Sequence, residues 1–544
     1  MSQMLKSSGA MGAATLSSRV LGLVREQVYA RFMGDTPVAS AFILAFQVPN
    51  LFRRLLGEGA LTAAFIPIFK EKEKTAGEVE MWRAANAVMS GLIVAATVVI
   101  ALVMLGITGF LMLAQMHLTR DGAAVFPPVI LSDNTRLMLQ LLRMMFPYLL
   151  LVCLTAVMMG MLNARGHFFI PAMGATMLNV VMIASVLWLA PRFGVGLPKE
   201  ERLPVQIFAL AYGVLAAGVA QALFQLPTLR REGFRYQWVT PWGNPTVREV
   251  VRKMIPGTIG VAAFQINVLL IQCLSWWVDK TIVASFNYAV RLMEFPQGVV
   301  GISLATYLLP TLAGLAAQKK YPEYRQTLIE GLSYLIFVNL LAALLLFTLA
   351  EPIVRLLFER GLFTAASTHR AALAVACLAP GLVAFSTVNI LARAFYALGD
   401  TTTPMKVSLA CLVLNLVFAA WLVGPFHQAG LGAANTLSAG FNVWLLFRAM
   451  RKTMPRLDLR PLARLVGTLL AVAILAGLAC WGARLFWDRH WGHATLLRKA
   501  GEVFVPMALA SAVYWGLALW AKVPQAHNVG ELVLGRFRRR TGRN

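Results

Sequence analysis

Four arginines lie inside stretches that otherwise have the apolar composition of lipid-buried helices: Arg19, Arg25, Arg53 and Arg291. A guanidinium stays protonated in a protein, and placing one at the centre of a bilayer costs roughly 2.5–3.5 kcal/mol on insertion scales. These side chains must therefore contact water, a protein partner or an anionic ligand. The carboxylates near them are fewer than the basic groups: Glu26, Glu58 and Glu294. We therefore predict a cavity that accepts an anion inside a membrane protein.

The composition is that of a membrane protein. Hydrophobic residues make up 58% and charged residues 13% of the 544-residue chain, against about 45–50% and about 25% in soluble domains. Mean hydropathy is +0.68. The apolar runs predict an all-α polytopic membrane protein with about fourteen transmembrane helices. We place these helices near residues 9–32, 37–66, 84–114, 136–163, 168–190, 204–228, 250–277, 282–316, 324–349, 368–397, 404–425, 429–450, 463–487 and 500–522.

Basic residues are concentrated in alternate connections between these helices, for example around Lys70, Arg230 and Arg451, although two connections on the opposite side, near Arg192 and Arg489, are also basic. The positive-inside rule then predicts that both termini lie in the cytoplasm. Contact with anionic membrane lipids accounts for the net charge of +25 without a nucleic-acid partner. The five cysteines lie in apolar runs without CxxC spacing, which predicts neither a disulfide framework nor a metal site.

An internal repeat organises the chain. Three residues recur 233 positions later: Pro147, Gly166 and Pro171 as Pro380, Gly399 and Pro404. In both copies an apolar helix begins near a proline, ends at a turn of small residues and is followed by another helix at the next proline. The repeat predicts two pseudo-symmetric lobes around a central cavity, as in many transporters. We divide the chain into an N-terminal lobe at 1–235, a C-terminal lobe at 236–455, and two extra helices with a basic cytoplasmic tail at 456–544.

Five segments together resemble one known family: SSRVLGLVRE (17–26), AFQVPNLFRRLLGEGALTAAFIPIF (45–69), RLMEFPQGVVG (291–301), LLFERGLFTA (356–365) and RAFYALGDTTTP (393–404). They are similar to the MurJ (MviN) family of lipid II flippases, within the multidrug/oligosaccharidyl-lipid/polysaccharide exporter superfamily. The resemblance implies two six-helix lobes plus two helices that hold the lipid tail. It also implies a bacterial inner-membrane transporter for peptidoglycan and cell-wall biogenesis, which translocates lipid II, the undecaprenyl-diphosphate-linked precursor, from the inner to the outer leaflet by alternating access.

Carried over residue by residue, the resemblance places the family's cavity arginines at Arg19, Arg25, Arg53 and Arg291, with Glu294 as an associated carboxylate. Arginine suits a diphosphate because its planar fork binds two phosphate oxygens at once. The resemblance implies no cofactor or metal, and we expect the chain to function as a monomer. One geometric difficulty is that Arg19 and Arg25, six residues apart, point roughly 240° from each other on an ideal helix.

The sequence departs from the family pattern at three positions. Ser40 and Val290 stand where the family often has acidic residues, and Gln47 stands where it often has a lysine. These changes weaken any coupling scheme based on carboxylates at positions 40 and 290. They also leave the expected cavity more cationic.

Other functions are less well supported by the residues. Four arginines disfavour a drug or cation antiporter, whereas a flippase for another polyprenyl-diphosphate oligosaccharide would share the diphosphate. We expect no enzyme, because no P-loop, HExxH motif or nucleophile elbow is present. A membrane glycosyltransferase would need a catalytic carboxylate in an outside loop, for which the candidates are Asp121, Glu200, Glu201 and Asp488. A scaffold without transport activity would leave the arginines unused.

Overall fold

Helices form every regular element in the parts of the chain that the computed structural model describes, which are residues 2–57, 60–119, 131–298, 303–528 and 530–531. Within these ranges, side chains are described from Ser17 onward, except at residues 56–57, 60, 62–63, 115–119, 256–257, 259–261, 303 and 306. The first eight helices are α1 (Ser2–Met33), α2 (Pro37–Phe52), α3 (Ala60–Thr119), α4 (Asp133–Met145), α5 (Tyr148–Ala164), α6 (Phe169–Ala184), α7 (Lys199–Arg231) and α8 (Pro245–Val278). The next nine are α9 (Ile282–Pro296), α10 (Ser303–Ala317), α11 (Tyr321–Thr348), α12 (Ala350–Phe358), α13 (Ala365–Leu378), α14 (Gly381–Ala397), α15 (Thr402–Thr453), α16 (Arg460–His490) and α17 (Leu496–Trp520).

Seven helical segments in the described ranges are long and apolar enough to cross a membrane, and nine if each of two bent helix pairs counts as one span. The predicted all-α, multi-pass fold is therefore confirmed. The number of fourteen spans stays a prediction. α15 and α3 each contain a kink, at His427 (φ 48°) and at Gly77 (φ 81°), which divides them into shorter helices.

The proline repeat appears as the same local structure twice. α4 and α5 meet at Pro147 with a bend of 42°, and α13 and α14 meet at Pro380 with a bend of 45°. Proline has no N–H to donate to the carbonyl of the preceding turn, so each helix breaks there. The turns that follow use Gly166 at φ 87° and Gly399 at φ 81°, conformations that favour glycine. The predicted repeat is confirmed at these positions.

Two of the predicted spans each include two of the described helices. α2 ends at Phe52, and residues Arg53–Gly57 form one π-helical turn, after which residues 58–59 lie outside the described residues. α9 ends at Pro296 and α10 begins at Ser303, and residues 299–302 also lie outside the described residues. The single spans over 37–66 and 282–316 therefore stay predictions. π-Helical turns are rare and often lie at functional sites, and this one contains Arg53.

The chain divides into two compact units, Met1–Ala284 and Ser285–Asn544, with the boundary in the first turn of α9. In the first unit, a core of α3, α5, α7 and α8 side chains includes Phe69, Met161, Leu229 and Val250. This division follows contacts, whereas the boundaries predicted at 235/236 and 455/456 follow the sequence repeat. Those boundaries stay predictions.

The second unit has its own core, to which the last two helices contribute. Leu328 and Leu332 of α11 lie in one buried cluster with Leu469 of α16 and Tyr514 of α17. The Tyr514 hydroxyl donates a hydrogen bond to the Phe337 carbonyl of α11 at 2.9 Å. α16 and α17 are thus packed against α11 along their apolar faces.

Candidate functional site

Arg25 is the centre of a buried polar cluster on α1. Its Nη2 donates to Glu26 Oε1 at 2.5 Å, and its Nη1 donates to the Asn179 Oδ1 of α6 at 3.1 Å. The guanidinium lies 5.5 Å from the ring centre of Tyr29, within the range of a cation–π interaction. Glu26 is 4% exposed and Asn179 is 6% exposed. A charge held in this way among helices is stabilised by pairing and by directed hydrogen bonds.

Asn179 fixes Arg25 against the backbone of its own helix. While its Oδ1 accepts from Arg25, its Nδ2 donates to the carbonyl of Ser18 at 3.1 Å. A Cβ atom on Gly22 would lie 3.9 Å from this Nδ2 atom, so α6 approaches α1 closely at the glycine. One amide therefore joins two turns of α1 to α6 and holds the arginine fork in a defined direction.

Arg19 lies on a different side of α1 and is exposed. The geometric difficulty noted from the sequence is thus real, because the structure does not bring Arg19 into the Arg25 cluster. Arg19 is presented outward from the helix, where a ligand can reach it.

Arg53 lies at the start of the π-helical turn after α2. Its Nε donates to the Asn50 Oδ1 atom at 2.8 Å. The neighbouring Arg54 donates from Nη1 to Gln265 Oε1 of α8 at 3.4 Å. Glu58, four residues after Arg54, lies outside the described residues. The amide oxygens of Asn50 and Gln265 thus help to orient the two guanidinium groups.

Arg291 and Glu294 form an ion pair on α9, in the second unit. Arg291 Nη1 lies 2.8 Å from Glu294 Oε2, and their side chains are 36% and 49% exposed. The predicted association of these two residues over one helical turn is therefore present in the structure. An exposed pair of this kind contributes little to stability, about 0–1 kcal/mol. Replacing this ion pair by a contact between Arg291 and a ligand therefore costs little free energy.

The three departures from the family pattern are also visible. Ser40 of α2 is fully buried, and its hydroxyl accepts the N–H of Ala284 at 3.0 Å. Ala284 lies in the first turn of α9, where backbone N–H groups have no partner within the helix. Ser40 thus caps α9 from a neighbouring helix, a role that the sequence did not suggest. Gln47 and Val290 are both half-buried.

A second charged cluster joins α12 to α16 and α17. Arg355 donates to Glu502 at 2.7 Å and to Glu351 at 2.7 Å, while Arg484 donates to Glu351 at 2.8 Å. Lys499 completes the cluster with Glu359 at 2.9 Å. The cluster holds three cations and three carboxylates, so its charges balance. It therefore acts in attaching the last two helices rather than in holding an anionic ligand.

One group of potential metal ligands occurs in the described part of the chain. Donor atoms of Asp488, His493 and Glu502 lie within 4.8 Å of one another. The Glu502 carboxylate already accepts from Arg355, as noted above. Of the carboxylates considered for a glycosyltransferase, Asp121 lies outside the described residues, and Asp488 lies 3.3 Å from His493.

The sequence reasoning missed the amides that hold the arginines: Asn50, Asn179 and Gln265. The available signal was their position, since each is an amide inside an otherwise apolar helix. Such polar groups within membrane-length helices are costly and therefore usually have partners. Asn50 lies only three positions from Arg53, but the partners of Asn179 and Gln265 lie 154 and 211 positions away along the chain and could not be read from the sequence.

The long apolar helices define a multi-pass membrane protein. A family model described as "Lipid II flippase MurJ" matches residues 29–500, and the chain belongs to this family. The chain is 34% identical over 519 residues to the lipid II flippase MurJ of Burkholderia cenocepacia, covering 93% of this chain and 95% of that protein. It is 32% identical to the probable lipid II flippase MurJ of Haemophilus influenzae, covering 86% of this chain and 90% of the relative.

Solved structures share the fold. A lipid II flippase MurJ in an inward closed conformation matches with a TM-score of 0.71 at 18% identity, covering 93% of this chain and 98% of that one. An inward-facing multidrug resistance MATE family transporter of the MOP superfamily matches with a TM-score of 0.61 at 12% identity, covering 80% and 96%. At these identities the likeness concerns the fold alone. The predicted family is thus confirmed by the sequence relatives.

Proposed function

We propose that this chain translocates lipid II from the inner to the outer leaflet of a bacterial cytoplasmic membrane by alternating access. The observation that carries the proposal is the family membership over most of the chain, with relatives named as lipid II flippases. The arginines provide the matching chemistry. Arg25, Arg53 and Arg291 hold their guanidinium groups in defined directions through short hydrogen bonds.

The charges of the proposed site suit a diphosphate. The arginines proposed to bind it are Arg19, Arg25 and Arg53 of the first unit and Arg291 of the second, with Glu294 as an associated carboxylate. A diphosphate diester carries about two negative charges, and arginine binds phosphate oxygens through two parallel hydrogen bonds. Arg25 Nε is buried and has no acceptor among the described residues, so it offers a further donor.

Substitution of the arginines tests the site. Arg53→Ala and Arg291→Glu should abolish translocation of labelled lipid II in reconstituted vesicles, with normal insertion of the protein. Arg53→Lys should retain only part of the activity, because lysine keeps the charge but loses the fork. Loss of one charge-assisted hydrogen bond of about 1.5–3 kcal/mol corresponds to a fall in affinity of about 10- to 150-fold.

A matched arginine serves as the control. Arg83 is an exposed residue of α3 paired with Glu80 at 3.2 Å, and Arg83→Ala should leave translocation unchanged. Full activity of Arg291→Glu would contradict the proposed diphosphate site. A different polyprenyl-diphosphate oligosaccharide, added as a competitor, tests whether the substrate is lipid II or this alternative lipid. If the competitor inhibits lipid II translocation as strongly as an equal concentration of unlabelled lipid II does, the diphosphate site is retained but the selectivity for lipid II is contradicted.

We also propose that both termini lie in the cytoplasm and that one copy of the chain is sufficient for transport. The basic connections support the orientation. Single cysteines added at the termini of a cysteine-free chain should react with an impermeant thiol reagent only after the membrane is opened. Vesicles that contain at most one copy each should translocate lipid II, and activity that requires two copies would contradict the monomer.

A further inference from the structure

A cavity of about 610 Å³ lies within the second unit, away from the arginines discussed above. Its walls come from the first turns of α11, the start of α16 and the short segment after α17, and include Ile329, Leu465 and Pro524. These three helices are all long and apolar enough to span a membrane. The cavity therefore lies at one end of three membrane spans, where lipid headgroups are found. Its size is within the range of about 300–1,000 Å³ that is typical of small-ligand sites.

The cavity is lined by charges of both signs that do not pair with each other. Arg325 and Arg456 are the cations, and Glu330 and Asp458 are the anions. In the described part of the chain, Asp458 Oδ1 accepts the backbone N–H of Arg460 at 2.9 Å, and no ion pair joins the four groups. All four groups line the same cavity, so a ligand that itself carries a positive and a negative group can contact both the cations and the carboxylates.

Further polar groups of the cavity can bind the atoms that connect the positive and the negative group of such a ligand. The Tyr334 hydroxyl accepts a hydrogen bond from Asn528 Nδ2 at 2.6 Å, which leaves its own proton to donate. Gln525 also lines the cavity, and its Oε1 atom is buried without a donor in the described residues. The cavity thus offers both an additional donor and an additional acceptor. The apolar side chains named above can cover the glycerol and the first methylene groups of a lipid.

We propose that this cavity binds the headgroup of a zwitterionic glycerophospholipid that has a primary ammonium group, as in phosphatidylethanolamine. Arg325 and Arg456 bind the phosphate, because guanidinium groups bind phosphate oxygens through charge-assisted hydrogen bonds. Glu330 and Asp458 accept hydrogen bonds from the ammonium. A quaternary ammonium has no N–H to donate, and phosphatidylglycerol has no cation, so each of these headgroups leaves the carboxylates without a hydrogen-bonded partner. This inference does not depend on the transported substrate.

The binding test uses the purified full-length protein in detergent with equal mole fractions of phosphatidylethanolamine, phosphatidylglycerol and phosphatidylcholine, and native mass spectrometry counts the retained lipids. We expect retention of phosphatidylethanolamine on the order of tenfold above phosphatidylcholine, the value of one charge-assisted hydrogen bond. Soluble phosphoethanolamine is added as a competitor. Equal retention of the three lipids would overturn the proposal. Displacement by phosphoethanolamine at the concentration of the lipid would also overturn it, because the acyl chains would then contribute nothing.

Single substitutions separate the two halves of the headgroup. Arg325→Gln should weaken retention of phosphatidylethanolamine and phosphatidylglycerol alike, whereas Glu330→Gln should remove only the preference for phosphatidylethanolamine. Arg464→Gln is the matched control, since Arg464 is an exposed arginine of α16 that does not line the cavity. The proposal fails if Arg464→Gln has the same effect as Arg325→Gln. Unchanged circular dichroism and gel-filtration volume show that each variant is folded. The preference of the unaltered chain for phosphatidylethanolamine is measured directly and does not depend on any variant.

Discussion

Replacement of Asn179 by alanine should detach Arg25 from α6 and destabilise the first unit. The change removes two hydrogen bonds between helices, from Arg25 Nη1 at 3.1 Å and to the Ser18 carbonyl at 3.1 Å. Interhelical hydrogen bonds in membrane proteins contribute about 0.6 kcal/mol on average and up to about 1.7 kcal/mol. The two bonds together therefore contribute about 1–3 kcal/mol. By the scaling of soluble domains, a loss of this size lowers the melting temperature by about 3–10 °C.

Cys153 provides the measurement, because it is fully buried in α5 of the same unit. In a chain that keeps Cys153 as its one cysteine, a thiol-reactive fluorogenic dye reports the opening of this unit during heating in detergent. The control is Ser275→Ala in the same unit, since the Ser275 hydroxyl donates to the Ile271 carbonyl of its own helix, α8, at 2.7 Å. We expect this control to shift the midpoint far less than Asn179→Ala. Equal midpoints for Asn179→Ala and the unaltered chain, with unchanged lipid II translocation, would refute the positioning of Arg25 by Asn179.

Hydrogen bonds from His167 and, second, from Arg165 hold the pKa of the Glu232 carboxyl below its ordinary value. The ionised Glu232 therefore stabilises the folded protein fully at a pH above that ordinary value, and this stabilisation is lost as the pH falls towards the folded-state pKa. Glu232→Gln should therefore flatten the acid side of the curve of melting temperature against pH, and an unchanged curve would contradict this. Gly501→Leu should separate α16 from α17, because even a Cβ atom at this position would overlap the Trp487 ring. We expect a loss of about 1–3 kcal/mol in thermal unfolding, and Gly516→Leu, where nothing lies within 4 Å of the added Cβ, is the control. Finally, dissipating the membrane potential at a constant pH gradient should stop lipid II export, because each charge that crosses gains about 2.3 kcal/mol per 100 mV. Transport that continues without the potential but requires sodium or a proton gradient would contradict this mechanism.

Local signals in the sequence were sufficient for much of the fold. The prolines at 147 and 380 and the glycines at 166 and 399 act through their own backbone chemistry, so their breaks and turns are readable from the residues alone. Hydropathy likewise predicted the membrane-length helices, because it depends only on the residues of each helix. The π-helical turn at Arg53–Gly57 was not predicted, because such a turn inserts one residue into an apolar pattern without any distinctive composition.

The candidate site was predictable in its charges but not in its contacts. Arg291 and Glu294 are one helical turn apart, so their pairing followed from spacing. The contact of Arg25 with Asn179 joins residues 154 positions apart, and no periodicity of the sequence relates them. Ser40 shows the same limit, because its role as a cap for α9 depends on a neighbour 244 positions away. Long-range packing decides such partners.

The two proline breaks make both units mechanically compliant at equivalent points. Pro147 cannot donate to the Arg143 carbonyl, and Pro380 cannot donate to the Ala376 carbonyl, so each helix lacks one backbone hydrogen bond. A helix bends most easily where such a hydrogen bond is missing, and the rest of its length remains stiff. The two bends already differ by only a few degrees, 42° and 45°. A change of conformation in either unit is therefore expected to rotate the helices about the same place in the repeat. The helical segments on each side of that place then move as rigid bodies.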